Sequence, residues 1–362
     1  MLSGVEWGEY RIGDLFEVKG TLSFNKEALV SGDEYDYVTR TSQNQGILQT
    51  TAFVNKENLN EAGTWSLGLL QMDFFYRQRQ WYAGQFVRKV VFKGSLPNGS
   101  ISFFTTVLNA LKPKLLSVLV RDVNKTFLDS YVQLPTRDGK IDFMFMERFV
   151  AELKAQRVAE LKAYLAVTGL SDYTLTPEEQ QAIQHFQEGN LQWGKRTFRS
   201  IFNHIKQGRR LKKDDQQKGA LPFVMSGVSN TGVVSHISNP IVIFPSNSIT
   251  IDIFGNSFYR NYSFGAGDDT GVYWSTERKY SKSQMLFFTT AMGRSLFGQY
   301  SYGNKLRSSQ SLNFKMSLIE KGGEIDYNYM ETFIRAIEKL VIRDVVLYAD
   351  RELATTQQVI NQ

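Results

Sequence analysis

The chain has 362 residues, of which 42 are Lys or Arg against 36 Asp or Glu, a formal charge of +6, with three histidines and no cysteine. This excludes disulfides and thiolate metal sites, and His185, His204 and His236 lack metal-ligand spacing; a reducing, cytoplasmic home and no metal are expected. The length suits two domains, no apolar run reaches the roughly 18 residues that span a bilayer, and Met1 to Tyr10 lacks a signal pattern, so a soluble, unprocessed chain without membrane association is expected.

In chain order, the first half opens on Trp7-Gly8 to Leu15-Phe16 and continues through short β-branched and aromatic runs such as Gln85 to Phe92, punctuated by Gly, Asn, Ser and Pro as strands and turns are. A helical stretch covers Ser102 to Asn109. From Asp142 to about Val167 the period changes: Met146, Phe149, Val150, Leu153, Leu161 and Leu165 recur at three- and four-residue steps among charged residues, the pattern of an amphipathic helix. Gly169 to Asn190 links the halves, with Thr176-Pro177-Glu178-Glu179 opening a short helix.

The second half begins again at Trp193-Gly194, with strands expected at Val233 to Ile237, Ile241 to Phe244, Ile249 to Phe254 and Gly271 to Trp274, and a helix at Ser283 to Met292. From Asp326 onward Met330, Phe333, Ile334, Ile337, Val341, Val345 and Tyr348 repeat the helical pattern. Asp142 and Asp326 stand where a side-chain oxygen can cap the first free N–H groups of each long helix. Twenty-five residues of helix run about 38 Å; two such helices packed antiparallel would form a spacer between the lobes, the alternative being that each packs on its own lobe.

The halves are copies. Trp7 to Phe16 returns at Trp193 to Phe202, and Tyr37 to Ile47 at Phe223 to Val233, both shifted by 186. Phe103-Phe104-Thr105-Thr106 returns at Phe287 to Thr290, and Ile141 to Phe149 at Ile325 to Phe333, both shifted by 184. Four matches in one order at nearly one offset mark a duplicated unit. The expected fold is α+β: two pseudo-symmetric lobes, 1–140 and 191–323, with long helices at 141–168 and 324–362 and a linker at 169–190.

Parts for catalysis are missing. There is no G-x-S-x-G elbow, P-loop or G-x-G-x-x-G, and no acidic pair; Asp214-Asp215 and Asp268-Asp269 read as turns or caps. Phe264-Gly265-Ala266-Gly267 looks like a cofactor loop, yet Phe258 to Gly267 aligns with Phe75 to Gly84 at a shift of 183, so the word belongs to the repeat. What the chain does carry is polar. Thr39-Arg40-Thr41-Ser42-Gln43-Asn44-Gln45 ends at Gly46, and its counterpart Met225-Ser226-Gly227-Val228-Ser229-Asn230-Thr231 ends at Gly232. Asn and Gln pair with adenine, Arg with guanine, and Ser or Thr with base edges or phosphates; an ordinary polar turn is the plainer reading. Arg209-Arg210-Leu211-Lys212-Lys213 is either a solvated loop neutralised by Asp214-Asp215 or a nucleic-acid contact.

The Trp-Gly…Leu-Phe opening, Tyr-Val-Thr-Arg-Thr-Ser-Gln-Asn-x-Gly, the Phe-Phe-Thr-Thr words and Ile-Asp-Phe-x-Phe-Met-Glu before a long helix resemble the DNA specificity subunit of Type I restriction-modification systems, particularly the branch that also serves Type IIB enzymes. The resemblance spans essentially the whole chain. It implies two target recognition domains, each reading one half of a split double-stranded DNA sequence, separated by antiparallel helices. It also implies methyltransferase subunits as partners, which bring S-adenosylmethionine and flip out an adenine, with cleavage in the partner or another subunit. This chain would then hold no cofactor and no catalytic residue.

Under that reading Arg40, Gln43 and Asn44 in lobe one and Ser229 and Asn230 in lobe two contact base edges. Thr41, Ser42, Gln45, Ser226 and Thr231 belong to the same loops, and Arg77, Arg79, Lys89, Arg260, Lys305 and Arg307 hold phosphates. Two rivals from other classes are a protein-binding scaffold without nucleic acid and a self-contained DNA-modifying enzyme.

Overall fold

The computed structural model describes residue 2 and residues 4–360, with backbone alone for 357–360. The chain divides into two compact units: one runs to Tyr164 and takes in the segment from Tyr348 onward, and the other is Leu165–Leu347.

In the first unit Glu6–Arg11 lies antiparallel to Tyr131–Arg137, with Trp7 opposite Pro135. Next comes an antiparallel sheet in the order Phe16–Gly20, Val87–Phe92, Thr64–Gly68, Asp73–Arg77. Another sheet runs Ile47–Thr51, Tyr35–Val38, Trp81–Ala83, Leu59–Asn60, in which Tyr35–Val38 and Trp81–Ala83 are parallel.

The second unit repeats this plan. Gln192–Thr197 pairs with Lys315–Lys321; a four-stranded sheet runs His204–Gln207, Thr270–Trp274, Ser248–Asp252, Ser257–Arg260; and Val233–Ile237, Lys218–Val224 and Gly265–Ala266 make the third sheet, again with one parallel contact. Gly265 and Ala266 oppose Phe223 and Val224 as Tyr82 and Ala83 oppose Tyr37 and Val38. The glycine-rich word is thus a buried strand.

Ile241 to Phe244, expected as a strand, makes only a single bridge, Phe244 with Phe264. Pro240 and Pro245 bracket the run and lack the N–H a ladder needs, and Ile241 and Ile243 stay exposed.

The cores show why the repeated words recur. Phe16, Phe104 and Met146 are buried together in the first unit, and Phe202, Phe288 and Met330 in the second. Phe16 meets Trp65 and Phe104 edge-on at 5.7 and 5.8 Å, a favoured quadrupole arrangement. The Phe-Phe-Thr-Thr words lie on helices Ile101–Ala110 and Lys282–Leu296, each placing its second phenylalanine inside.

The long helices are Phe143–Val167 and Tyr327–Ile360, 25 and 34 residues. Asp142 Oδ1 accepts from Phe145 N–H and Asp326 Oδ1 from Tyr329 N–H, both at 2.9 Å, the N-cap geometry expected of them. In the first unit Lys162 Nζ lies 2.8 Å from Asp350, and Ala349 and Thr356 are buried.

The segment expected to join the halves is part of the second unit. Its helix, Pro177–Gln187, starts on a Thr176/Glu179 capping box. Ala182, Ile183 and Phe186 form an apolar stripe that packs on the lobe, with Phe186 4.7 Å from Phe333 and Tyr329 Oη donating to the Ala182 carbonyl at 2.6 Å. Among the described residues no helix is long and apolar enough to cross a membrane, and no group of His, Asp and Glu could hold a metal ion.

Asp326→Ala should lower unfolding free energy by about 1 kcal/mol in urea titration, with Asp326→Asn keeping most of it because the acceptor oxygen survives. Equal loss in both variants would contradict the cap.

Candidate nucleic-acid interface

The polar loops of the two lobes have the same backbone. After Tyr35–Val38 the chain enters a tight turn, Gln43–Gly46, in which Asn44 (φ 45°, ψ 44°) and Gln45 (φ 53°, ψ 31°) are both left-handed. After Lys218–Val224 the turn Ser229–Gly232 repeats it, with Asn230 (φ 47°, ψ 38°) and Thr231 (φ 51°, ψ 29°). Asn tolerates this region; a β-branched Thr there is strained and must be held by its surroundings. Gly46 and Gly232 continue at φ 80° and 83°, where glycine is at ease.

One buried arginine holds each turn. Arg77 and Arg260 are 2% and 1% exposed. Arg77 Nε donates to Ser66 Oγ at 2.9 Å, and its Nη2 donates to the Gln45 carbonyl. Arg260 Nε donates to Thr250 Oγ1 at 3.0 Å, its Nη2 to the Thr231 carbonyl and its Nη1 to Thr231 Oγ1 at 3.1 Å. Each guanidinium also sits over the ring of a phenylalanine in its own strand, Phe75 at 5.7 Å and Phe258 at 5.4 Å. Desolvation pulls Arg77 down to about 10, against the field of Asp36, and lowers Arg260 as well. Both stay charged at neutral pH. These arginines bind the loops from beneath, which corrects the expectation that they hold phosphates.

A carboxylate also sits under each loop, but on opposite strands of the hairpin. In lobe one Ser42 Oγ donates to Asp73, which faces Gly68 across the ladder and also binds Lys112. In lobe two Ser226 Oγ and Gly227 N–H reach Asp252 at 3.3 and 3.1 Å, and Asp252 faces Asn256 through an N–H to carbonyl bond of 3.0 Å. Gly68 and Asp252 are equivalent in the repeat, as are Asp73 and Asn256. Ser226 N–H donates in addition to Asp269 at 3.0 Å, so that aspartate is a loop cap.

The other expected residues divide by partner. Asn44 and Asn230 donate to the Ile47 and Val233 carbonyls at 3.1 and 3.2 Å, closing their own turns, and Thr41 Oγ1 accepts from Gln43 N–H at 3.2 Å. Gln43 and Ser229 are exposed, and among the described residues their side chains make no hydrogen bond within the lobe. Arg40 is exposed and stacks over Phe86 at 5.2 Å. Arg79 is bound to Asp36 at 2.9 Å and to the Asp33 carbonyl at 2.6 Å, and Lys89 is paired with Glu61, so neither is a free cation. Lys305 lies 4.3 Å over the Tyr302 ring and Arg307 donates to the Asp268 carbonyl at 2.6 Å. Sequence reasoning missed the supporting Ser66, Thr250, Asp73 and Asp252. The matched hydroxyls of Ser66 and Thr250, shifted by 184, were the available signal.

Each copy of the duplicated α+β lobe thus presents the same cast polar turn. The family model described as Type I restriction modification DNA specificity domain matches residues 4–163 and again 190–346, one copy per lobe. The chain therefore belongs to that family, a restriction-modification specificity subunit with two target recognition domains. It is 23% identical over 348 residues to the Type II restriction enzyme specificity subunit S.BcgI of Heyndrickxia coagulans, covering 93% of this chain and 96% of that protein. The crystal structure of a Type I restriction-modification S subunit from M. genitalium superposes with a TM-score of 0.58 at 13% identity, covering 99% of this chain and 95% of that one, and shares the fold.

Gln45→Gly should raise stability by roughly 0.5–1 kcal/mol in thermal melts, since glycine removes the left-handed penalty and the arginine still finds the carbonyl. Arg77→Met should instead cost about 2 kcal/mol and speed amide exchange across 43–46, measured by hydrogen exchange, while leaving 229–232 unchanged. A stable loop in Arg77→Met would disprove its role as the support.

Proposed function

We propose that this chain is the non-catalytic address of a DNA-modifying complex: each lobe reads one half of a bipartite duplex target, and methyltransferase subunits dock on the chain to methylate adenine. The observation that carries this is the pair of identically cast turns whose exposed side chains differ. Lobe one presents Arg40 and Gln43, lobe two Ser229, on one backbone. A shared scaffold with changed tips is what two different half-sites require, because hydrogen-bonding side chains discriminate base edges while the frame sets their approach.

Under this reading the long helices pair antiparallel as the spacer between half-sites, about one turn of DNA apart. Exposed apolar side chains on them, Leu153 at 41% and Val341 at 71%, support a role as a protein dock. S-adenosylmethionine enters with the methyltransferase, where the base is flipped and modified; cutting, where it occurs, belongs to a partner. The complex works in the cytoplasm.

Mapping methylated adenines in DNA exposed to the chain together with its methyltransferase should yield a split motif, and neither protein alone should methylate. Arg40→Ala with Gln43→Ala should relax one half of that motif by roughly tenfold and leave the other half intact. Methylation by the isolated chain, or equal relaxation of both halves, would overturn the proposal.

A further inference from the structure

Beside each polar turn lies an open cleft, and the two clefts are the same place in the repeat. The first, about 670 Å³, is bordered by Lys26, Thr39, Arg40, Leu48, Gly84 and Gln85. The second, about 610 Å³, is bordered by Lys212, Met225, Val234, Gly267 and Asp268. Lys26, Thr39 and Leu48 correspond to Lys212, Met225 and Val234 at the loop's shift of 186, and Gly84 and Gln85 to Gly267 and Asp268 at 183. A glycine floors both: a Cβ on Gly84 would meet Tyr37 Oη at 2.9 Å, and one on Gly267 would meet Asp269 Oδ1 at 2.9 Å.

The linings differ in chemistry. The first cleft adds the exposed amide of Gln71 to that of Gln85, with Arg40 between hydrogen bonding and stacking roles, and the side chains of Leu48 and Leu70 are half exposed beside them. Amides and a guanidinium next to bare apolar groups suit base edges and a thymine methyl. The second cleft carries Arg210, Lys212 and Lys213, all exposed and, among the described residues, without an ion pair to Asp214, Asp215 or any other carboxylate. Free cations in a row suit phosphates.

Resting on the reading of one lobe per half-site, we infer that both lobes take duplex DNA in this cleft with unequal labour: Gln71 and Gln85 extend the base preference of Arg40 and Gln43 in lobe one, whereas Arg210, Lys212 and Lys213 anchor lobe two on phosphates beside its own reading tip at Ser229. All five are exposed, and none supports the loop.

The test uses the assembled complex with its methyltransferase, fluorescent duplexes carrying both half-sites, one scrambled half-site or random sequence, and a salt series from about 50 to 200 mM. Gln71→Ala with Gln85→Ala should cut the preference for the intact first half-site about tenfold and leave the salt slope unchanged. Lys212→Ala with Lys213→Ala should weaken binding to every duplex and reduce the log–log salt slope by about 0.9 per residue, base preference being kept. Wild-type preference and slope in the two variants would overturn the inference. So would wild-type DNA binding combined with loss of the methyltransferase on gel filtration, which would make the clefts protein contacts. A wild-type complex indifferent to scrambling would refute the half-site reading instead, and the slope on random duplex would still decide where lobe two meets phosphate.

Discussion

Each lobe depends on an arginine buried beneath a turn that would not otherwise hold its shape. A guanidinium out of water is tolerable only when its N–H groups are bonded, and two successive left-handed residues persist only when something over-determines them. Arg77 and the Gln45 carbonyl, like Arg260 and the Thr231 carbonyl, meet both demands with one contact. Relaxing the turn would strand a charge; removing the charge would free the turn. The backbone of the reading surface is therefore set largely from inside the fold, and the exposed side chains of Gln43 and Ser229 make no hydrogen bond within their lobes among the described residues.

This separates frame from content. Asn44 and Asn230 close the turn, Gly46 and Gly232 let it exit, and the serine with its carboxylate ties the approach. Between these fixed points stand Gln43 and Ser229, whose side chains make no hydrogen bond within their lobes among the described residues. The charge on the two surfaces follows the same division. Arg40 of the first lobe is Ser226 in the second, and the basic run of the second lies where the first has Lys26 beside Glu27.

Much of the architecture was legible because the chain states it twice. Residues alike at a constant shift, such as Phe16 and Phe202 or Met146 and Met330, turned out to be core, and the aspartates before each long helix are its caps. Burial was the property that pattern could not give. Arg77 and Arg260 stand beside aromatics as nucleic-acid contacts do, yet the adjacent ring is a strand neighbour and the charge points inward. Their persistence in both copies, against the change of Arg40 to Ser226, is the mark of a structural rather than a reading residue. Ile241 to Phe244 failed as a strand for a local reason, its flanking prolines, and the linker helix joined the second lobe because its apolar stripe needed cover.

The carboxylate under each loop has a wider consequence. Asp73 of one lobe and Asp252 of the other stand on opposite strands of the equivalent hairpin rung, and each binds the chain that leads into its turn, so a carboxylate is kept beside the loop although its position in the repeat changes. Column-by-column comparison scores that exchange as two unrelated losses. The two copies in this chain can thus differ in sequence at both positions while each keeps a carboxylate at its loop, and what they share is the rung of the ladder rather than the residue.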